Sequence, residues 1–399
     1  MRKNFVSITG MGIISSIGDN LEENFSALIN KKTGLSQISH INTIHKNKIK
    51  VGEIKYTNNE LINLLGFDKS ENYSRTELLG SIAAKEAIKH SGIKSIDKFK
   101  TGLISATSVG GMVRTEKFYL NSNSDDNSKN YVKNHHAGKS TERIADSLNI
   151  TDYISTISTA CSSAANAIML GARMIKSKKL DRVIVGGTDS LAKFTINGFN
   201  TLMLLSEKEC MPFDANRNGL NLGEGAAYLV LESEEIINKE KKKVLANISG
   251  YANANDAFHQ TGSSDKGNGA FIAINKAIKS AKIKKEDIDY INMHGTATIN
   301  NDLSEGAAIK RIFDPIPPFS STKPYTGHTL AAAGAIEAVF SILALNNNTI
   351  FPNLNFKNKM PELNISPVTE ITQKNLKNVL SNSFGFGGNC TALIFSKNE

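Results

Sequence analysis

The sequence predicts an α/β protein built from two similar halves, and three observations point there. Residues 153–159 are β-branched and alternating while residues 162–179 carry apolar side chains at helical spacing, so Cys161 falls where a strand turns sharply into a helix. The run Ala160-Cys161-Ser162-Ser163-Ala164-Ala165 is echoed by Gly327-His328-Thr329-Leu330-Ala331-Ala332, each leading into a helix. Residues 222–231 are echoed by residues 386–395, and both echoes keep the same order on either side of the lysine-rich run 239–243. Such ordered self-similarity implies a duplicated fold with equivalent helices buried back to back, its halves being residues 1–243 and 244–399. In that arrangement Cys161 and His328 come from equivalent helix N-termini facing one cleft.

The elements follow in order. Residues 5–10 read as a strand, entered directly from Met1-Arg2-Lys3-Asn4, which suggests the beginning of a fold and not a signal peptide. Residues 21–30 form a helix opened by Asp19 or Asn20, and residues 74–91 an amphipathic helix with Ser74 and Glu77 as its capping signature. Residues 101–106 make a buried strand ending in Ser108-Val109-Gly110-Gly111, and the Ser/Asn/Asp-rich stretch 121–130 suits a mobile loop. A strand over 180–187 is parallel to its neighbours by helix-crossover logic, and 221–227 leads into a strand at 228–231. Past the lysine run come a strand at 245–251, a helix at 269–281, a strand at 290–293, a long apolar helix at 327–345 and closing strands within 379–395.

Composition narrows the function. Of 399 residues, 40% are hydrophobic and 21% charged, as in ordinary globular proteins, and no apolar run reaches membrane-spanning length. Three cysteines without a Cys-x-x-Cys pair fit a reducing compartment and argue against disulfides and zinc, so a cytoplasmic protein is expected. The net charge of +9 raises nucleic acid as a partner, yet the lysines are scattered or in short runs without interleaved aromatics. Solvated helix ends explain them, with an acidic protein partner as the sharper alternative.

Cys161 at a helix N-terminus, among small neighbours, suits a nucleophile, because the local dipole favours thiolate over thiol. A buried inert cysteine is the equal alternative on this stretch alone. His294-Gly295-Thr296-Ala297-Thr298 places an imidazole at the carboxyl end of a strand, where α/β proteins build sites. His328 opens a helix whose dipole would keep it neutral. Either histidine alone is more readily structural, but with Cys161 they supply the ingredients of acyl transfer. Lys323 and Glu337 could pair in the cleft or be surface charges. Phe384-Gly385-Phe386-Gly387-Gly388 is a glycine-rich turn that suits an oxyanion hole or is simply a turn. No phosphate-binding loop, dinucleotide fingerprint or metal cluster appears, so no cofactor and no metal are expected.

Together, Thr159-Ala160-Cys161-Ser162-Ser163-Ala164, His294-Gly295-Thr296-Ala297-Thr298, Lys323 with Gly327-His328-Thr329-Leu330, and Asn382-Ser383-Phe384-Gly385-Phe386-Gly387-Gly388 resemble the 3-oxoacyl-[acyl-carrier-protein] synthases over nearly the whole chain. The resemblance implies a thiolase-like, five-layer α-β-α-β-α fold, a dimer, and a decarboxylative Claisen condensation. It implies that Cys161 takes the acyl chain from an acyl carrier protein, with the N–H groups of Cys161 and Phe386 holding the thioester oxygen. His294 and His328 would bind the malonyl thioester and assist loss of CO2, and Lys323 with Glu337 would support the electrostatics. Phe386 and Phe384 would gate the acyl entrance, Val109 and Phe199 would line the acyl tunnel, and Thr296 and Thr298 would contact substrate.

Departures from the common pattern bear on substrate. Asn389-Cys390 stands where the family usually has Thr-Asn, Ala331 replaces a usual Gly, and Asn300-Asn301-Asp302 replaces a Pro-containing stretch. Residues 121–130 and His135-His136-Ala137-Gly138 are also unlike housekeeping members. These point toward a specialised synthase making a polyene or polyketide, as a homodimer or with a partner subunit. The competing reading is a non-catalytic chain-length-factor-like subunit, which would lack the nucleophile. A thiolase would need a second catalytic cysteine, and Cys390 lies in an expected strand.

Overall fold

The strands of the main sheet fall into two sets of five that share one topology. The structure, a computed structural model, describes residues 5–69, 71–132 and 135–398; residues 1–4, read above as leading into the first strand, lie outside them. The first set is β1 (Val6–Ser15), β2 (Thr101–Ala106), β3 (Tyr153–Ile157), β4 (Arg182–Asp189) and β5 (Gly225–Glu232). The second is β6 (Ala246–Asn255), β7 (Tyr290–Asn292), β8 (Phe319–Ser320), β9 (Asn378–Gly385) and β10 (Asn389–Ser396). Across the sheet the first set runs β3-β2-β4-β5-β1 and the second β8-β7-β9-β10-β6. Each half therefore arranges its strands as third, second, fourth, fifth, first. In both, the second strand is parallel to the third and fourth, while the fifth is antiparallel to the fourth and the first. The halves join where β1 pairs with β6 through Val6↔Ile248, Ser7↔Asn247 and Ile8↔Ala246.

Seven helices matter to the site: α1 (Arg75–His90), α2 (Met112–Phe118), α3 (Ser163–Lys176), α4 (Lys193–Thr201), α5 (Asn268–Ala281), α6 (Ile299–Ile312) and α7 (Ala333–Asn347). Helices α3 and α7 pack on each other between the two strand sets, α1 covers the outer face of the first set and α5 that of the second. The result is the five-layer α-β-α-β-α arrangement. Its inner strands, such as β4 and β5, are buried on both faces and so read as continuous apolar runs, whereas the edge strand β3 is partly exposed. Along β4, Val183 and Val185 join the central core while Ile184 joins the outer one; along β10, Leu393 and Ile394 divide the same way.

The central layer corrects one expectation. The 18 residues Leu330–Asn347 are long and apolar enough to cross a membrane, and 89% of them are buried inside the protein. A helix that is apolar all round and enclosed by two sheets is a core helix. It also starts later than expected: Gly327 and Leu330 adopt φ +72° and +52°, Leu330–Ala332 is a 3-10 turn, and α-helix begins at Ala333. The stretch 121–130 is not a loop throughout, because a 3-10 turn spans Tyr119–Asn121 and a helix Asp126–Val132. The capping box at α1 forms as expected, with Glu77 N–H donating to Ser74 Oγ at 3.2 Å and Ser74 N–H to Glu77 Oε2 at 2.6 Å.

Candidate active site

Small residues build the bend that presents Cys161. After β3 the backbone turns through Ala160 at φ +51°, Ser163 Oγ–H donates to the Ala160 carbonyl, and Thr159 N–H donates to Ser163 Oγ at 2.8 Å. The turn between β9 and β10 lies directly against this bend. A Cβ at Gly385 would stand 2.6 Å from the Thr159 carbonyl oxygen and 3.2 Å from the Cys161 nitrogen, so only glycine fits there. Gly387 and Gly388 carry the turn at φ +83° and +81°, and the Phe386 N–H faces the Cys161 sulfur. Burial pushes the Cys161 thiol up to about 12, against the opposing pull of Lys323 and the Phe386 N–H. The free site therefore holds a thiol; desolvation outweighs the helix-end effect from which a thiolate was expected.

The two imidazoles reach the same place from the other half. His294 follows β7 by two positions, and its N–H and that of Gly295 donate to Glu305 on α6 at 2.9 and 2.8 Å. Lys323 Nζ donates to the His294 carbonyl at 2.5 Å, approaches His294 Nδ1 at 3.3 Å and pairs with Glu337 Oε1 on α7. An ammonium only donates, so His294 Nδ1 accepts and its ring proton resides on Nε2. His328 is tied through its backbone, its N–H to the Asn221 carbonyl at 2.7 Å and its carbonyl to the Gly223 N–H at 2.9 Å. The rings meet edge to face with centroids 5.4 Å apart. Burial holds both imidazoles well below the ordinary histidine range, aided by the Lys323 charge, so both are neutral at pH 7. The dipole of a helix opened by His328 is not needed, since α7 begins five residues later. Burial likewise pushes the Glu337 carboxyl up to about 7, against the pull of Lys323.

Cys161, His294 and His328 line one cavity of about 350 Å³. Its walls include Phe199, Phe384, Phe386, Thr296 and Thr298. Phe199 on α4 stacks on Phe386 with centroids 5.7 Å apart and planes at 22°, so the two rings form one part of the cavity wall. Phe384 leans on the His294 ring at 5.7 Å, and the Thr296 and Thr298 hydroxyls are 2.8 Å apart. Lys323 and Glu337 do not line the cavity but stand behind His294, almost wholly buried. Val109 is outside this lining, in the adjoining apolar cluster with Leu191, Ile196 and Leu330, against which Phe199 packs. Cys390 is buried on β10 in the core of the second half, as its strand position implied.

Two buried acids that sequence reading missed hold this geometry. Glu305 takes the His294 and Gly295 N–H groups and the Asn382 amide at 3.1 Å, and burial pushes it up to about 7. Asp189, at the end of β4, accepts from Ser108 Oγ at 2.7 Å, Val109 N–H at 3.0 Å, Ala331 N–H at 2.9 Å and the Thr107 hydroxyl. It ties the turn carrying Val109 to the turn that follows His328. Nothing in the local sequence separates these acids from solvated ones; only the layer packing buries them.

Comparison with known proteins gives concordant results. Residues 3–236 match the family model described as beta-ketoacyl synthase, N-terminal domain, and residues 245–357 the model for its C-terminal domain. The chain is 31% identical to "3-oxoacyl-[acyl-carrier-protein] synthase 2" of Staphylococcus aureus (strain N315), covering 99% of this chain and 98% of that protein. Among solved structures it resembles "The ishigamide ketosynthase/chain length factor" with TM-score 0.94 and 26% identity, each chain covered fully. It also resembles "Ketosynthase (ApeO) in Complex with its Chain Length Factor (ApeC) from Xenorhabdus doucetiae", with TM-score 0.86 and 29% identity over 99% of this chain and 98% of that one.

Proposed function

The chain belongs to the beta-ketoacyl synthase family, and from that premise we propose how its residues divide the work. It is a 3-oxoacyl-[acyl-carrier-protein] synthase, an acyltransferase that joins an acyl group to malonyl carrier protein by decarboxylative Claisen condensation. Cys161 is the nucleophile. Its sulfur attacks the incoming acyl thioester, the carrier thiol leaves with the proton, and the acyl group stays on Cys161. The N–H groups of Cys161 and Phe386 hold the thioester oxygen.

In the second half-reaction malonyl carrier protein enters. Its carboxylate leaves as CO2, and the electron pair of the broken C–C bond forms an enolate. His294 and His328 donate to the enolate oxygen, which neutral imidazoles can do without a metal. The enolate carbon attacks the Cys161 thioester, a C–C bond forms, and the C–S bond breaks with its electron pair going to the Cys161 sulfur, which takes up a proton from solvent to restore the thiol. A 3-oxoacyl carrier protein two carbons longer departs. Lys323 sets the His294 tautomer, and Glu337 neutralises Lys323. Phe386 with Phe199 and Phe384 admits the acyl chain, and Thr296 and Thr298 contact the malonyl arm.

One observation supports this reading above the rest: the thiol, which the Phe386 N–H faces, opens on the same cavity as two neutral imidazoles. The presence of all three groups favours a catalytic chain over a chain-length-factor-like subunit. The partners are an acidic acyl carrier protein, drawn to the +9 surface, and another ketosynthase-fold chain, either a second copy or a chain-length-factor-like subunit. We place the protein in the cytoplasm and the division of its halves at residues 243/244. The test is intact-mass analysis of the protein and its carrier after incubation with acyl donors of several lengths and malonyl carrier protein. An acyl adduct on Cys161, followed by a carrier product larger by the condensed acyl unit, is expected. No adduct with any donor would refute the reading.

A further inference from the structure

Beside the Cys161 bend and outside the cavity lining, three asparagines from three elements meet: Asn166 on α3, Asn253 on β6 and Asn389 at the start of β10. Asn389 Oδ1 is the hub. It accepts from Ser162 Oγ at 2.7 Å, Asn166 Nδ2 at 2.8 Å and Asn253 Nδ2 at 2.8 Å. Asn166 closes the network, its amide donating to Thr159 Oγ1 at 2.9 Å and its oxygen accepting from Thr391 Oγ1 at 2.8 Å. Thr159, Ser162 and Asn166 bracket the Cys161 bend, whereas Asn389 and Thr391 belong to the strand that leaves the Phe386 turn.

We propose that Asn389 is a positioning residue that fixes the Phe386 N–H on the thioester oxygen by locking the β9–β10 turn to the Cys161 bend, with Asn166 and Asn253 as its anchors. Three facts carry it. Asn389 sits opposite Gly385 in the β9–β10 ladder, at the stem of the turn that holds Phe386. The bend and the turn touch where Gly385 leaves no room for a side chain. The network crosses from the first half of the chain to the second, so it governs their relative placement and not either element alone. An asparagine reaches this hub because its carbonyl lies one bond beyond Cβ with two lone pairs for several donors; a hydroxyl on Cβ falls short. The turn has other ties, Gly387 N–H to the Gln260 carbonyl at 2.7 Å, Asp256 N–H to the Gly388 carbonyl at 2.8 Å and the Asn255 amide to the Gly387 carbonyl at 3.2 Å, but none of them reaches the Cys161 bend.

The inference rests on the condensation reading, and it separates two steps. The oxyanion donors serve transfer at Cys161; CO2 loss uses the imidazoles. Acyl loading is therefore followed by quenched intact mass, and CO2 release from malonyl carrier protein is followed in a Cys161→Gln background. Asn389→Leu keeps the shape and removes the acceptor; loading is expected to slow about tenfold, less than the roughly hundredfold loss when such a donor is deleted outright. CO2 release by the Cys161→Gln/Asn389→Leu protein is expected within about twofold of Cys161→Gln alone, as the imidazoles are untouched. Asn253→Ala, which alters neither bend nor turn, is expected to slow loading in the same direction. Loading at the unmodified rate in both variants, or parallel falls in loading and CO2 release in both, overturns the proposal. An unmodified protein that accepts no acyl group refutes the condensation reading itself.

Discussion

The rings of His294 and His328 stand edge to face, their planes at 86°. Two imidazolium ions that close would repel in a buried site, and burial with the Lys323 charge keeps both rings neutral. The lowered pKa means that the donor form persists as pH falls through about 6.5, the ordinary histidine value. CO2 release by the Cys161→Gln protein is expected to stay level from about pH 8 to about pH 6, measured with buffer-matched malonyl carrier protein. A midpoint near the ordinary value would contradict it. By the same linkage, these groups withdraw stability below that pH, where the unfolded chain takes up protons that the folded one refuses.

Cys161→Ala is expected to abolish condensation and leave the melting temperature nearly unchanged, since a small side chain replaces a small one in a bend of small residues. Cys161→Gln is expected to block loading and retain CO2 release. Elongation by the alanine variant, read by carrier mass, would remove Cys161 from its role.

The Lys323–Glu337 pair is buried on both sides. Lys323→Met leaves Glu337 without its cation and is expected to destabilise the protein by about 3 kcal/mol in a denaturant melt. Lys323→Met/Glu337→Leu is expected to recover part of that loss. CO2 release stays low in both, because the ammonium that fixes His294 Nδ1 as acceptor is missing in both. Recovered CO2 release in the double variant would show that Lys323 acts only through packing.

Phe199 and Phe386 stack in the wall of the cavity, and we propose that they gate it. Phe199→Ala removes a contact worth about 1 kcal/mol beyond its area, and is expected to raise the KM for acyl carrier protein several-fold with a smaller change in kcat. The preferred chain length is expected to broaden in a donor-competition assay. An unchanged donor profile would mean that the stack is packing alone.

Glu305 has its folded-state pKa raised to about 7 by burial. A raised acid binds a proton in the fold that the unfolded chain has released, so its contribution falls as pH rises from about 4.5 to about 7. Glu305→Gln removes that dependence. The melting temperature lost on substitution is expected to be larger at about pH 5 than at about pH 8, and CO2 release falls because His294 loses an acceptor for its N–H. A difference that grows with pH would reverse the assignment.

What the sequence disclosed and what it hid have physical causes. Cys161, His294 and His328 stood out because small residues and glycines must surround a group that a substrate touches, and such spacing is local. The duplication was visible because equivalent packing demands equivalent patterns. Glu305 and Asp189 were invisible because an acid in Asn-Asp-Leu-Ser-Glu or Gly-Thr-Asp reads as solvated until two sheets close over it. The thiol's protonation was misjudged for the same reason: a helix end is a local feature, whereas desolvation belongs to the whole assembly. Asn389 was noticed only as an odd residue, because its three donors arrive from residues 162, 166 and 253.

Strand β9 pairs with β7, β10 pairs with β6, and the two pair with each other, so this hairpin is inserted as a wedge between strands already separated by it. Until the hairpin is seated, the Phe386 N–H does not face the Cys161 sulfur and the cavity lacks the wall that Phe384 and Phe386 supply. Ribosomal synthesis reaches these strands after every other part of the sheet has been made. A nascent chain thus holds Cys161, His294 and His328 before it holds the wall that Phe384 and Phe386 add to their cavity.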